Sequence, residues 1–554
     1  MNRRNVVLFS VVGLASFVSG GWLLQRGGER AANVYQKARI FESVVAYLSE
    51  YYVDSLDEGR IYDLAIDGLL KELKDPYTVF LRPDDVEALS VSTTGNYGGL
   101  GIRIEASDGW IQVVSPLPET PAERAGIQSG DRIVEVEGES THDWPQDKAV
   151  SKLRGAPGDP AHITIARPGV PEPIKFTIVR ERIHVRSVEG SQVLPGGIGY
   201  LRLVQVSESS ARELGEEVDR LRQQGARSLV LDLRNNPGGL LNEGVAVSDL
   251  FLDRGDVVVE TRGRAPGASG VFRATRAQRW PDMPLVVLVN GNSASAAEII
   301  AGALQDHDRG LIVGTTTFGK GLVQSVFDLG PGPQALKLTT GRWYTPSGRV
   351  LERPSARREE LLIAAEEAGD SAAIVARRAA GDTAAADTVA ADSARPKFHT
   401  DGGRVVLGGG GITPDRVVRP DTFTAGEQAF AVALGRRVPE YRAALTAFAL
   451  DLKGRNGLTD STFRVTATMR AQLIRDMRKR GIDLPDSVFA GAGQLLDEQL
   501  GDEIARYVFS RQAEIGRQLA RDRQVREAIA LLQRAKSPAE LFTLAAQAEK
   551  SAGR

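Results

Sequence analysis

The chain of 554 residues contains no cysteine. That excludes disulfides, thiolate metal sites and cysteine catalysis. Its five histidines (His142, His162, His184, His307 and His399) are scattered, and no two stand at metal-ligand spacing, which argues against a zinc site. No G-x-S-x-G elbow is present, so the local signature of an α/β-hydrolase Ser-His-Asp site is missing. Nor is there an excess of either charge. The formal net charge is −2, and bulk electrostatics therefore argues against a nucleic-acid binder.

The length predicts three or four domains. At the N-terminus, Arg3 and Arg4 precede an uncharged, mostly apolar run over 5–25. This is the pattern of a signal peptide or signal anchor, and the run is about long enough to span a bilayer. No clear A-x-A cleavage site follows it, so an uncleaved anchor or late-cleaved signal is expected, with the rest of the chain exported. Apolar residues at helical spacing over 34–73, such as Ile40, Phe41, Val44, Ile61 and Leu64, predict a small helical pair.

From 93 to 182 the texture changes to short strands and glycine turns. Gly98-Gly99-Leu100-Gly101-Ile102, the PAERAGIQSGDRIVEVEG block and the LRGAPGD turn resemble a PDZ domain. The backbone N–H groups of Gly99, Leu100, Gly101 and Ile102 could form a nest for a peptide carboxylate, and the following strand edge could add the peptide as an extra strand.

Beyond residue 183, strand-like and helix-like segments alternate, which predicts an α/β core with a mainly parallel sheet. Expected strands cover 199–203, 228–233, 285–289 and 311–313, and expected helices 209–223, 242–252 and 296–304. The strand ends carry the chemistry. One leads into Pro237-Gly238-Gly239, one into Asn290-Gly291-Asn292 with Ser293 and Ser295, and one into a Gly/Thr turn with Lys320. A serine hydroxyl is a poor nucleophile until a base takes its proton. A lysine serves as that base only when neutral, a state that burial favours. Lys320 lies among Phe318, Gly319, Gly321 and Leu322, with no acid in the following sequence before Asp328. A serine at a helix start places a developing oxyanion near free N–H groups and the positive dipole end. The Gly238-Gly239 turn offers a second donor.

Other readings fit less well. Gly314 to Lys320 nearly matches the P-loop G-x-x-x-x-G-K, but Gly321 stands where Ser or Thr must bind Mg²⁺, and a strand rather than a helix follows. Asp232 reads as a strand-end partner for its turn, and His307 as a helix-end residue. Residues 353–400 are rich in Ala, Arg, Asp and Glu and read as a low-complexity insertion. Residues 422–554 read as a separate helical domain or docking arm, of a kind that mediates self-association or adaptor binding.

Taken together, LDLRNNPGGLL, LVNGNSASAAEIIAGALQD, GTTTFGKGLVQ, TTGRWYTPSGR and GITPD, in that order behind the PDZ-like segment, resemble the carboxyl-terminal processing peptidases, the tail-specific S41 proteases. The resemblance covers roughly 34–418. It implies a multidomain α/β protein whose ClpP/crotonase-like protease core (183–352 and 401–421) accompanies an inserted PDZ domain (93–182). The signal or anchor (1–30), a helical segment (31–92), the insertion (353–400) and a helical C-terminal region (422–554) complete the chain. The resemblance also implies Ser295 as nucleophile rather than Ser293, Lys320 as general base, and Gln324 as the residue orienting it. The N–H of Ala296 and one from Gly238 or Gly239 fall on the oxyanion hole. Ala297 stands where the family often has Ser. No cofactor or metal is implied. The expected partners are proteins with apolar C-termini, handled in the periplasm or at its membrane. A non-catalytic PDZ scaffold retaining the protease fold is the alternative, and the intact Ser295 and Lys320 argue against it.

Overall fold

The computed structural model describes residues 35–353, 395–455 and 457–552. The expected signal or anchor and most of the expected insertion lie outside the described residues. Among the described residues, no helix is long and apolar enough to cross a membrane. The chain divides into two units, one of residues up to Val86 with Gln324–Thr339, the other of Glu87–Val323 with the chain from Thr340 onward.

The first unit holds the expected helical pair, 35–51 and Glu58–Glu72. Asp57 starts the second helix by accepting the N–H of Arg60 at 3.2 Å, the usual work of an N-cap carboxylate. The Lys74-Asp75-Pro76 turn ends the pair, and Asp75 accepts from Tyr77 N and Thr78 Oγ1. The strand Val79–Leu81 then pairs antiparallel with the first part of the strand Ala335–Tyr344.

In the second unit the PDZ fold is present. Strands Asn96–Gly99 and Glu181–His184 pair as an antiparallel stalk where the chain enters and leaves it. The main sheet runs in the order Ile102–Ser107, Trp110–Pro116, Arg132–Val136, Pro160–Ala166 and Ile174–Val179. Its core gathers Leu100, Ile111, Val113, Ile133, Leu153, Ile163 and Ile165. Ile102–Ser107 is an edge strand, paired only with Trp110–Pro116, and the helix Gln146–Leu153 lies beside it.

The protease-like core is a six-stranded sheet in the order Val188–Leu194, Ile198–Leu203, Ser228–Asp232, Leu285–Val289, Leu311–Gly314 and Arg416–Val417. The first pair is antiparallel and the others parallel. Strands of a parallel sheet covered on both faces are apolar throughout, and all five residues of Leu285–Val289 are buried. Leu229, Leu231, Val287 and Val289 face the helices Ser210–Gln223, Leu241–Asp249 and Ala296–Asp306. Val230, Val286, Leu288 and Val313 face the other way.

That second face is covered by part of the C-terminal helical region, the segment expected as a separate helical domain or docking arm. Residues from Ala425 to Phe509 do form a helical bundle with its own core around Phe430, Tyr441, Leu473, Leu496 and Ile504. The helices Arg511–Arg521, Arg523–Leu532 and Pro538–Ala552, however, lay Leu519, Val525, Leu531 and Leu541 on the sheet. Sheet strands buried on both faces need this second helical layer, so the last forty residues belong to the α/β core. The end of the segment expected as an insertion carries a strand pair. Lys397–His399 already pairs with Val405–Leu407, and Arg395 donates to the carbonyls of Gly408 and Gly411.

Leu531→Ala is therefore expected to destabilise the α/β core by about 2–4 kcal/mol, read as a lower urea midpoint for the transition that buries Trp280 and Trp343. A midpoint shift confined to the helical bundle would contradict this placement.

Candidate active site

Three parallel strands deliver the residues of interest. Ser228–Asp232 leads to the glycine turn, Leu285–Val289 to the serine turn, and Leu311–Gly314 to the lysine turn. All three turns follow carboxyl ends of the sheet, the position where open α/β sheets form sites.

The first turn is braced by side chains of the sheet and of the second helical layer. Asp232 accepts the Arg234 N–H at 2.9 Å and its Nε, and also takes the Tyr200 hydroxyl at 2.8 Å. Burial would push the Asp232 carboxyl up, but the Arg234 guanidinium outweighs it and holds the group below its usual range. Arg234 continues to Asp522 at 2.8 Å and Gln524 Oε1 at 2.7 Å, so the second helical layer grips this turn. Asn235 sits in the left-handed region at φ 58°, where Asn is tolerated. Its side-chain oxygen accepts from Asn290 and Asn292, and its N–H donates to Asn290 Oδ1. Asn236 is fully buried and tied to Leu203 O.

The glycines are required by space. At Gly238 a Cβ would lie 2.8 Å from the Ser295 Cβ and 2.8 Å from the Ala296 nitrogen. At Gly239 it would overlap the Val206 carbonyl oxygen. The turn thus packs directly against Ser295. The Gly238 N–H is already donated to Asn236 Oδ1 at 2.8 Å. Of the two glycines, only Gly239 has an N–H without a hydrogen-bond partner among the described residues.

Ser293 and Ser295 separate cleanly. Ser293 is fully buried, donates to Leu233 O at 2.8 Å and accepts the Asn290 N–H at 3.0 Å, which closes the turn. Ser295 is half-buried and adopts φ 54°, ψ −118°, a conformation that costs a non-glycine residue about 1–3 kcal/mol. Ala296, next along, opens the helix, so its N–H is one of the donors without an intrahelical partner.

Glu298 joins the serine and lysine turns. It is fully buried. One oxygen accepts from Thr317 Oγ1 at 2.5 Å and Gly319 N at 2.7 Å, and the other from Ser295 N and Lys320 N, each at 2.9 Å. Two nitrogens sharing one acceptor at these distances lie within roughly 6 Å of each other. Burial pushes the Glu298 carboxyl above its usual range, and these four donors pull it back only in part.

Lys320 itself is half-buried beside the buried Phe318. Its carbonyl accepts the Trp343 indole at 2.9 Å, and Gly321 N donates to Glu352 at 2.8 Å. The lysine turn is therefore flanked by acids from distant sequence, where its own sequence shows none before Asp328. Gln324 belongs to the first unit, on the strand Leu322–Asp328. Its Nε2 is buried without a hydrogen-bond partner among the described residues. His307 caps the Ala296–Asp306 helix and bonds Asp401 and Val257 O, as a helix-end residue does.

In the PDZ fold, Leu100 is buried at 2 % exposure. The carbonyl of Leu100 accepts from Ala122 N, and that of Gly101 from Leu117 N and Thr120 Oγ1. Gly101 needs its glycine, since at φ 78° a Cβ would overlap Thr120. Ile102 follows as the first residue of the edge strand.

Comparison with known proteins gives matches to two family models: Peptidase family S41 over residues 197–356 and PDZ domain over residues 89–166. The chain is 38% identical to the carboxy-terminal-processing protease of Bartonella bacilliformis over 353 residues, 62% of this chain and 80% of that protein. It is 35% identical to the carboxy-terminal processing protease CtpA of Bacillus subtilis over 305 residues, 55% of this chain and 64% of that one. A solved photosystem II D1 C-terminal processing protease is 32% identical, covering 56% of this chain and 83% of its own, with a TM-score of 0.33.

The sequence motif LVNGNSASAAEIIAGALQD contains Glu298 but assigns it no role. Its signal was present: it is the sole acid in the first two turns of the helix, which are otherwise Ala, Ile and Gly. Replacing it with alanine would strand four donors. Glu298→Ala is expected to lower stability by about 2–4 kcal/mol and to speed amide exchange at Ser295, Gly319 and Lys320 together. Unchanged protection at these three amides would contradict the bridging role.

Proposed function

The chain belongs to peptidase family S41, and from that premise we propose that it is a serine endopeptidase that processes protein substrates at or near their C-termini with Ser295 and Lys320. The observation that carries the residue assignment is the Glu298 carboxylate, which holds the backbones of both residues. The left-handed φ of Ser295 at a helix start, with Gly238 packed against it, supports the nucleophile role. Ser293, spent on closing its turn, is unsuited to it.

The chemistry follows from these positions. Neutral Lys320 Nζ takes the proton of Ser295 Oγ as the oxygen attacks the scissile carbonyl carbon. The negative charge moves to the carbonyl oxygen, where the N–H groups of Ala296 and Gly239 stabilise it; such a donor is worth about 2.7–4 kcal/mol. Gly239 takes this role because the Gly238 N–H is already bonded to Asn236. Collapse breaks the C–N bond, and the lysine ammonium returns its proton to the leaving amine. Water then hydrolyses the ester, with Lys320 again as base. No metal or cofactor enters these steps.

The PDZ domain binds the substrate's C-terminus. Its carboxylate goes to the loop Gly99, Leu100, Gly101 and Ile102, whose Leu100 and Gly101 carbonyls are occupied by Ala122, Leu117 and Thr120. The peptide adds along Ile102–Ser107, and an apolar last residue suits a groove built on Leu100, Ile102, Ile104 and Leu153.

Ser295→Ala and Lys320→Ala should each reduce cleavage of a peptide with an apolar C-terminus by at least ~10³-fold with the melting temperature preserved. Turnover retained in both variants would sink the assignment. The run over 5–25 behind Arg3 and Arg4 supports export, to the periplasm or anchored at its inner membrane. Fractionation of cells expressing the full-length chain should find it outside the cytoplasm; a cytosolic pool alone would refute this.

A further inference from the structure

The strand that takes the peptide in this reading has two faces. Ile102 and Ile104 point into the PDZ core. Arg103 and Glu105, the alternate residues, point away and find partners outside the PDZ fold. Arg103 pairs at 3.0 Å with Glu189, on the first strand of the protease sheet. Glu105 accepts the Tyr507 hydroxyl, also at 3.0 Å, from the end of the helical bundle.

The bundle makes further contacts on the same side. Arg480 donates to both carboxylate oxygens of Asp108, at 2.7 and 2.8 Å, in the turn that ends the edge strand. Lys453 Nζ reaches Ser129 O at 2.9 Å. Leu450 lies on Gly130 so closely that a Cβ there would overlap it. The helix Val438–Gly454 thus lies against the PDZ surface while its other face joins the bundle core through Tyr441, Leu445 and Ala449.

Next to Tyr507 the same bundle is fastened to the second helical layer of the protease core. Glu514, fully buried, accepts two bonds from Arg506, at 2.9 and 3.0 Å, and pairs with Arg511 at 2.6 Å. Arg521 pairs with Asp502, and Arg517 donates to Phe463 O at 2.9 Å. The two sets of contacts differ in kind. On the core side a fully buried carboxylate is satisfied, and breaking such a pair is strongly destabilising. On the PDZ side, Arg480 and Asp108 are 28% and 38% exposed, and ion pairs of that sort are individually weak.

We propose that the helical bundle from Ala425 to Phe509 is a built-in clamp, anchored on the protease core, that holds the peptide-accepting strand of the PDZ domain by its outward side. Holding Glu105, Asp108 and the Ser129-Gly130 turn restricts the edge strand before a peptide arrives. Less conformational freedom is then lost on binding, which raises affinity without any contact to the peptide. The exposed Arg480–Asp108 pair is the contact that lets go first. The proposal rests on the PDZ reading above for its effect on peptide binding, but the restraint itself can be tested without a peptide.

The test uses the full-length chain carrying Ser295→Ala, so that nothing is cleaved, with and without Lys453→Ala, Arg480→Ala and Tyr507→Phe together. These changes remove side-chain tips at the contact and leave the bundle core intact. Hydrogen exchange is followed over 102–108 and 128–131. Binding of a fluorescent peptide ending in a free apolar residue is measured by anisotropy, with its C-terminal amide as control. The clamp predicts several-fold faster exchange in both segments and a Kd weakened about 5-fold. Unchanged exchange would overturn it, as would faster exchange with an unmoved Kd. If the free acid binds no better than the amide, the PDZ reading is what fails. Exchange alone then decides the restraint, faster exchange supporting it and unchanged exchange overturning it.

Discussion

A carboxylate taken out of water costs several kcal/mol unless donors replace the water it loses. Glu298 meets that demand with donors from two places, the turn that starts its own helix and the lysine turn after the next strand. The site depends on this one group. The helix start fixes where Ser295 lies, the same carboxylate fixes where the Lys320 backbone lies, and neither turn could move without stranding a buried acceptor. The unfavourable φ of Ser295 is sustained by the same constraint, with Gly238 filling the space on its other side.

That arrangement needs a rigid support, and the sheet supplies it. Three adjacent parallel strands aim their turns at one region, with apolar side chains packed on both faces. One helical layer carries Ser295 at its N-terminus. The other comes from the end of the chain and reaches back through Asp522 and Gln524 to Arg234, in the glycine turn beside the serine. The C-terminal helices are therefore coupled to the glycine turn by buried packing and a specific ion pair.

Much of this was legible in the sequence. The apolar strand runs and a helix starting at Ala296 followed from local pattern. The PDZ strands and turns did too, because glycines such as Gly101 mark places where a side chain cannot fit. What was not legible was long-range. The carboxyl-terminal helices are amphipathic whether they cover a sheet or each other, and nothing local separates those packed on Val286 from those packed on Tyr441. The Gly238 N–H looks as available as that of Gly239 until Asn236 folds back onto it. The acids near the lysine turn, Glu298 and Glu352, lie 22 and 31 residues from the backbone groups they hold. Composition likewise does not reveal that Lys397–His399 pairs with Val405–Leu407.

The central claim is that Ser295 forms the acyl intermediate with Lys320 as its base. The most direct measurement is acid quenching of the protein during turnover of a slowly hydrolysed peptide, followed by mass mapping of the adduct. The account predicts a substrate-derived acyl group on Ser295, absent when Lys320 is replaced by alanine. An adduct on Ser293, or an adduct on Ser295 undiminished in the lysine variant, would contradict it.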